Sequence, residues 1–125
     1  MATILMVEDE MNLAMMLEDI LDDAGYSVLK AARLPKALEL MAQFYSDGEN
    51  RIDAAILDIN LAGVQVFPLA DVLLSRGVPF VFTSGYGRDG IPDDYRGSAV
   101  LQKPYSAESL LSMLQAMIRG PDLTG

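Results

Sequence analysis

The sequence predicts an α/β fold, a doubly wound (βα)5 three-layer sandwich with one parallel sheet of strand order 2-1-3-4-5. Short apolar runs, typical of strands buried on both faces, alternate with longer segments of helical periodicity. Five such alternations fit in 125 residues, with no internal repeat and no low-complexity segment. Right-handed crossovers leave few ways to wind five strands, and 2-1-3-4-5 is a common order.

The first half of the chain supplies two strands and two helices. Residues 3–7 suit a first buried strand, and residues 26–31 alternate as a strand near the sheet edge does. Helix one ends at Gly25, and its apolar stripe is Leu13, Met16, Leu17, Ile20, Leu21 and Ala24. This helix also contains the methionines Met11, Met15 and Met16. We expect these side chains to fill the core side of the helix, in preference to forming a soft binding surface. Helix two has Pro35 in its first turn and the stripe Ala37, Leu38, Met41, Ala42 and Tyr45.

The second half supplies three strands and two helices. The strands cover residues 54–60, 79–84 and 98–102. Helix three runs from about residue 65 to 76, with Pro68 in its first turn and Gly77 at its end. Ser106 caps the last helix, which ends at Gly120-Pro121 and has the apolar residues Leu110, Leu111, Leu114, Met117 and Ile118.

Residues 87–97, between strands four and five, oppose a regular helix. This segment holds three glycines and one proline in eleven residues. Each glycine disfavours a helix by about 1 kcal/mol and an interior proline by about 3 kcal/mol. Only Ile91 and Tyr95 could face the core. We therefore predict at most a turn or two of helix, with higher mobility than other internal segments.

Composition excludes several classes of function. A single domain over residues 1–125, with its core at about residues 3–119, leaves no room for an output domain. The net charge of −9 argues against nucleic-acid binding. The absence of cysteine and histidine confines any nucleophile, base or metal ligand to carboxylates, hydroxyls and amines. The absence of an apolar span and of a cationic leader predicts a cytoplasmic protein without membrane insertion.

Polar residues end four of the five predicted strands, at the edge where open parallel sheets bind ligands. Glu8 and Asp9 follow strand one, and Asp58 lies at the end of strand three. The order 2-1-3-4-5 makes these strands neighbours, so the carboxylates should converge and repel one another without a cation. Mg²⁺ or Mn²⁺, which take oxygen ligands, would suit them. Strands four and five add Ser84-Gly85 and Lys103, a hydroxyl with glycine backbone and a positive charge, as a phosphoryl group needs.

Each of these residues alone also has an ordinary structural interpretation. A strand-end Asp58 often only caps a turn or a helix. An isolated Lys103 is more often solvated, and an isolated Ser84 more often forms a turn. Their joint occurrence at successive strand ends favours a phosphoryl-transfer site, in which Asp58 would be the nucleophile and would form an acyl phosphate.

The sequence resembles the receiver domains of bacterial two-component response regulators along essentially its whole length. The segments that carry the resemblance stand in family order: Val7-Glu8-Asp9-Glu10, Leu57-Asp58-Ile59-Asn60, Phe82-Thr83-Ser84-Gly85-Tyr86 and Gln102-Lys103-Pro104-Tyr105. Residues 79–86 are also similar to the Pro-Phe-x-Phe-Ala-Thr-Gly-Tyr signature of stand-alone alphaproteobacterial receivers, although Thr83-Ser84 replaces Ala-Thr. The resemblance implies a flavodoxin-like fold.

The resemblance also implies roles for individual residues. Asp58 is then the phosphoacceptor, and the metal is held by Asp9 and Asp58, by Glu8 through water, and by the backbone carbonyl of Asn60. Ser84, rather than Thr83, takes the place of the conserved hydroxyl, because the small Gly85 follows it. The phosphate is then bound by Ser84, Gly85 and Lys103, and the Lys103–Pro104 peptide bond is expected to be cis.

Many receivers carry a switch Tyr or Phe three residues before the conserved lysine, where this chain has Val100. Coupling of phosphorylation to an aromatic side chain at that position is therefore not expected here. Tyr86 is a substitute candidate, and the full set of switch candidates is Thr83, Tyr86, Val100 and Tyr105.

Two functions are consistent with these residues. The first is a stand-alone receiver that takes phosphate from a histidine kinase or a histidine phosphotransfer protein and signals to a downstream protein; it is not a turnover enzyme. The alternative is a Mg²⁺-dependent phosphatase of the aspartyl-phosphate type. Such enzymes expect a second Asp two residues after the nucleophile, where Asn60 stands, and a cap over the substrate.

Overall fold

The computed structural model describes residues 2–45, 51–95 and 97–119. Its main sheet has five strands, Thr3–Val7 (β1), Ser27–Ala31 (β2), Ala54–Asp58 (β3), Phe80–Ser84 (β6) and Ala99–Gln102 (β7). All neighbouring pairs are parallel, and the order β2-β1-β3-β6-β7 is the predicted 2-1-3-4-5 arrangement. A separate two-stranded hairpin pairs Asn60–Leu61 (β4) with Val64–Gln65 (β5). The fold is the flavodoxin-like α/β fold that the sequence predicted.

Within the described ranges, four α-helices cover the two faces of this sheet. They are Met11–Asp23 (α1), Leu34–Tyr45 (α2), Phe67–Ser75 (α3) and Ala107–Arg119 (α4). Leu5, Leu57 and Phe82 alternate along their strands with Met6, Ile56 and Val81, so successive residues face opposite layers. The first set packs with α2 and α3, through Ala37, Met41, Leu69 and Leu73. The second packs with α1 and α4, through Leu17, Leu21, Leu110 and Leu114.

The last helix begins as predicted. The hydroxyl oxygen of Ser106 accepts a hydrogen bond from the backbone N–H of Ser109 at 3.0 Å, which satisfies a donor of the first turn. The predicted stop at Gly120-Pro121 and the side chain of Tyr45 lie outside the described residues. No helix in the described part of the chain combines the length and apolar character needed to cross a bilayer.

The methionines of α1 do not fill the core, so that prediction is wrong. Their exposed fractions are 76% for Met11, 59% for Met15 and 51% for Met16. The buried residues of α1 are Leu17 and Leu21, which are four positions apart and share one face of the helix. The apolar stripe predicted from the sequence was too wide, because it included Met16, which lies at the edge of the buried face. In α2, Ala42 is likewise exposed.

Helix α3 begins at Phe67 and not at residue 65, because the β4–β5 hairpin takes up the preceding residues. The two residues of its turn both have positive φ, 54° at Ala62 and 89° at Gly63, which matches a two-residue hairpin turn. The side-chain oxygen of Asn60 accepts the Gly63 N–H at 2.8 Å. Pro68 lies in the first turn of α3, as predicted.

In its described residues, the segment between β6 and β7 has no regular α-helix, as predicted. It forms two short 3-10 helices, Gly87–Gly90 and Asp93–Tyr95. Ile91 and Tyr95 are half-buried and pack against the core on the α2 and α3 side of the sheet. Arg96 lies outside the described residues.

Candidate functional site

The three predicted acids meet where β1 and β3 end. Glu8 and Asp9 directly follow β1, and Asp58 is the last residue of β3. The two strands are paired up to Val7 and Leu57, so their ends lie side by side. One carboxylate oxygen each from Glu8, Asp9 and Asp58 lies within 4.8 Å of the other two. The predicted convergence of these carboxylates is confirmed.

Glu8 is the most buried member of this acidic cluster, with 4% of its surface exposed. Its Oε2 accepts the backbone N–H of Glu10 at 3.1 Å. The pKa of the Glu8 carboxyl is raised to about 7, chiefly by burial. The neighbouring Asp58 also raises this pKa, and the Glu10 N–H and Lys103 lower it. A proton or a cation near Glu8 is therefore favoured in the folded protein.

Asp9 is held by the hairpin that follows β3. The backbone N–H of Ala62 donates a hydrogen bond to Asp9 Oδ2 at 3.1 Å. Ala62 is a non-glycine residue with a φ of 54°, a conformation that costs an L residue about 1 kcal/mol. The sequence did not predict this contact, because Ala62, unlike the Gly63 that follows it, is not a residue type that indicates a left-handed turn position.

Lys103 bridges two of the three acids. Its Nζ lies 3.3 Å from Glu8 Oε1 and 3.3 Å from Asp58 Oδ2. Burial lowers the pKa of the Lys103 ammonium, but the charges of Asp58 and Glu8 outweigh burial and leave this pKa above its usual value. The Lys103–Pro104 peptide bond is cis, as predicted. Lys103 therefore supplies the positive charge of the cluster.

Thr83 and Ser84 end β6, the strand between β3 and β7. Thr83 is in register with Asp58, and both hydroxyl residues are buried, with exposed fractions of 1% for Thr83 and 5% for Ser84. The Ser84 hydroxyl oxygen accepts the backbone N–H of Tyr86 at 3.0 Å. Gly85 is exposed, and a Cβ at that position would meet no atom within 4 Å. The backbone beside Ser84 is thus open to a ligand.

The remaining switch candidates differ in their surroundings. Val100 is half-buried against the core on the α2 and α3 side. Tyr86 is 80% exposed. The Tyr105 hydroxyl is buried and has no hydrogen-bond partner in the described part of the chain. Burial raises the Tyr105 pKa to about 12, with further contributions from Glu8 and Asp58.

An aromatic cluster near β6 was not predicted as part of the site. It consists of Phe67, Phe80, Phe82 and Tyr95. The ring of Tyr95 stacks on Phe67 with centroids 5.0 Å apart, and its hydroxyl donates a hydrogen bond to Asp71 Oδ1 at 2.5 Å. The sequence indicated part of this arrangement through the i, i+4 spacing of Phe67 and Asp71, which places both residues on one face of α3.

The donor set suits a hard divalent cation. Carboxylate and carbonyl oxygens are the ligands that Mg²⁺ prefers, and three carboxylates this close repel one another without a cation. Asn60 lies two residues beyond Asp58, and its side-chain oxygen is already bonded to the Gly63 N–H. A role for Asn60 as a metal ligand would thus use its backbone carbonyl.

The fold has counterparts among solved structures. The receiver domain from the hybrid histidine kinase CckA is 28% identical, with a TM-score of 0.73, over 94% of this chain and 99% of that chain. SdrG from Sphingomonas melonis Fr1 is 37% identical, with a TM-score of 0.75, over 94% of this chain and 97% of that chain. The BeF3-activated conformation of SdrG is 38% identical, with a TM-score of 0.73, over 93% of this chain and 95% of that chain. No protein-family model matches the sequence.

Two curated proteins contain a similar segment within longer chains. The uncharacterized transcriptional regulatory protein YrkP of Bacillus subtilis is 32% identical over 93% of this chain, which spans 49% of YrkP. The sensor kinase CckA of Brucella abortus is 30% identical over 97% of this chain, which spans 13% of CckA. The chain therefore spans at most about half the length of these relatives.

Proposed function

The chain belongs to the receiver domains of response regulators, and we propose that it accepts a phosphoryl group on Asp58 from a partner's phosphohistidine in a Mg²⁺-dependent reaction. The observation that carries this proposal is the position of Asp58, the last residue of β3, whose Oδ2 lies 3.3 Å from Lys103 Nζ. Glu8 and Asp9 complete the acidic cluster around it. The family signals by phosphorylation, which is the general role this geometry serves.

Asp9, Asp58 and the backbone carbonyl of Asn60 would hold Mg²⁺ or Mn²⁺ directly, and Glu8 would do so through a water molecule. When bound, the cation neutralises the carboxylates and attracts a phosphoryl oxygen. The mutual repulsion of the three acids supports this assignment, because Lys103 contributes only one positive charge to the cluster.

Asp58 acts as the nucleophile. One carboxylate oxygen attacks phosphorus, the P–N bond to the partner's imidazole breaks, and the imidazole leaves with the bonding electron pair. Lys103 then pairs with a phosphoryl oxygen in place of Glu8, the Ser84 hydroxyl donates to a second oxygen, and the exposed Gly85 leaves its backbone N–H accessible. Phosphoryl transfer depends mainly on such positioning and charge stabilisation.

The phosphodonor would be a histidine kinase or a histidine phosphotransfer protein, because the chain has no histidine of its own. The similarity to a segment of the sensor kinase CckA supports this class of partner. The net charge of −9 favours a protein over a nucleic acid as the downstream partner.

Time courses of phosphoryl incorporation and phosphate release test this function against the phosphatase alternative. The protein is mixed with Mg²⁺ and a molar excess of a small acyl phosphate, and phosphoprotein and released inorganic phosphate are followed together. A receiver accumulates up to one phosphoryl group per chain and releases phosphate no faster than its own phosphoprotein decays after the donor is removed. Sustained release from a range of phosphomonoesters would instead identify a phosphatase.

A further inference from the structure

Gly90 packs against the proposed phosphate-binding hydroxyl. A Cβ at this position would lie 2.9 Å from Ser84 Oγ and 3.8 Å from Ile59 Cδ1. Gly90 does not have the positive φ that favours glycine, unlike Gly87 with its φ of 58°. Glycine is therefore needed at position 90 because the backbone approaches Ser84 closely. The first 3-10 helix, Gly87–Gly90, is in direct contact with the Ser84 side chain.

The other end of this segment is attached to α3 through Tyr95. Its hydroxyl donates a 2.5 Å hydrogen bond to Asp71, and its ring stacks on Phe67 at an interplanar angle of 18°. The same ring meets the edge of Phe82 in β6 at a centroid distance of 5.9 Å. The hydrogen bond to Asp71 raises the pKa of Tyr95 to about 12, so the phenol remains a donor at neutral pH.

Single-turn hydrogen bonds and the packing of Ile91 against the core stabilise the chain between these two attachments. The Ile91 N–H donates to Arg88 O at 3.0 Å, and the Tyr95 N–H donates to Pro92 O at 3.0 Å. Short 3-10 turns resist displacement less than an α-helix does. A displacement of Gly90 can therefore reach Tyr95 along five residues of chain.

We propose that Tyr95 and Asp71 form a latch that holds residues 87–95 on α3 in the resting protein, and that phosphorylation opens it through Ser84 and Gly90. The inference rests on the proposed function of Asp58. When the Ser84 hydroxyl turns toward a phosphoryl oxygen, it leaves the space beside Gly90. The 3-10 segment moves into that space and draws Tyr95 away from Asp71.

In this proposal, the aromatic side chain that moves on phosphorylation lies outside β7. Val100, in the position where β7 would carry an aromatic switch, packs against the same core cluster as Tyr95. The moving aromatic side chain is then Tyr95, and the surface that changes comprises residues 87–95 and the exposed Asp71 carboxylate on α3.

Thermodynamic linkage makes this proposal testable with a phosphoryl mimic. If a ligand at Asp58 opens the latch, then weakening the latch must tighten the binding of that ligand. Tyr95→Phe retains the ring on Phe67 and removes the hydroxyl, and with it the hydrogen bond to Asp71 and the longer, 3.5 Å contact with the Phe67 carbonyl oxygen of α3. Loss of one hydrogen bond to an exposed carboxylate predicts about fivefold tighter binding.

The experiment is an NMR titration with beryllofluoride in the presence of Mg²⁺. Tyr95→Phe and Asp71→Ala remove the two sides of the latch and should each bind about fivefold more tightly than the wild-type protein. Tyr26→Phe, which removes a hydroxyl from the opposite end of the sheet, is the matched control and should bind with wild-type affinity. Amide exchange should show Ile91 and Tyr95 losing protection when the wild-type protein binds the mimic.

The outcomes separate the latch from the function on which it rests. Wild-type protein that binds no beryllofluoride would overturn the proposed function and the latch together. Wild-type binding that neither Tyr95→Phe nor Asp71→Ala tightens would overturn the latch alone, as would unchanged exchange at Ile91 and Tyr95. Two variants are used so that a fold defect in one, visible in its amide spectrum, does not decide the result.

Discussion

Glu8 shows how one buried carboxylate links the site to stability. The pKa of its carboxyl is raised from the ordinary value of 4.5 to about 7 in the folded protein, chiefly because the group is buried. The folded state therefore binds more protons at this residue than the unfolded state between pH 4.5 and 7. By linkage, its contribution to the free energy of unfolding falls as the pH rises through that range.

Glu8→Gln should therefore stabilise the metal-free protein at pH 8 and change its stability little at pH 5. Glutamine stays neutral and can still accept the Glu10 N–H, and the expected gain at pH 8 is about 2 kcal/mol. Urea unfolding in EDTA at the two pH values measures it, with Glu10→Gln as the control at an exposed neighbour. Equal effects of Glu8→Gln at both pH values would contradict the raised pKa.

Ser84 and Thr83 provide a second test at the residue scale. Ser84→Ala should slow phosphorylation by a small acyl phosphate about tenfold or more, because it removes a donor to the phosphoryl group. Thr83→Val keeps the shape of the buried neighbour and should have a much smaller effect. Quench-flow or intact-mass time courses measure both rates. A larger effect of Thr83→Val would assign the hydroxyl role to Thr83.

Sequence reasoning found the residues of the site but not their contacts. Glu8, Asp9, Asp58 and Lys103 could be predicted because each lies at a strand end, a position that periodicity locates. The bridge from Lys103 to Glu8 and Asp58 could not be predicted, because it depends on side-chain conformation across two neighbouring strands. The raised pKa of Glu8 depends on its depth of burial, which sequence patterns do not give.

At the scale of elements, the 3-10 segment was predicted from composition, whereas the β4–β5 hairpin was missed. Glycine and proline oppose helices for local reasons, so their effect on residues 87–97 is visible in the sequence. The hairpin turn places Ala62 in a left-handed conformation that its residue type does not indicate. The methionines of α1 were misplaced because a helical stripe does not define how wide the buried face is.

Gly90→Ala tests the contact between the 3-10 segment and Ser84. The added methyl group would lie 2.9 Å from Ser84 Oγ, so we expect a loss of about 1–3 kcal/mol in the free energy of unfolding. The loss should shrink in a Ser84→Ala background, because the hydroxyl that the methyl meets is gone. Urea unfolding of the two single variants and the double variant gives the coupling energy.

Gly97→Ala is the matched control for this cycle, because its Cβ would meet no atom within 4 Å and its φ is not in the left-handed region. It should change stability by less than about 1 kcal/mol. Additive effects of Gly90→Ala and Ser84→Ala would show that the two residues are not in energetic contact.

At the scale of the whole molecule, the strand order creates the site. Successive strands are added to one side of β1 first and then to its other side, so the strand order reverses between β1 and β3. Glu8, Asp9 and Asp58 meet at this point. The order could be predicted because five parallel strands with right-handed crossovers have few arrangements. Lys103 reaches the same point from the end of β7 across β6, so four strands, β1, β3, β6 and β7, position the cluster.

The central claim is that Asp58 accepts the phosphoryl group, and intact-mass measurement tests it most directly. The wild-type protein, Asp58→Asn and the control Asp22→Asn, a change at an exposed carboxylate of α1, are each incubated with Mg²⁺ and a small acyl phosphate. We predict that the wild-type and Asp22→Asn proteins gain one phosphoryl group, that EDTA prevents the gain, and that Asp58→Asn gains none while its thermal unfolding remains cooperative. A folded Asp58→Asn protein that still gains one phosphoryl group in a Mg²⁺-dependent manner would contradict the claim.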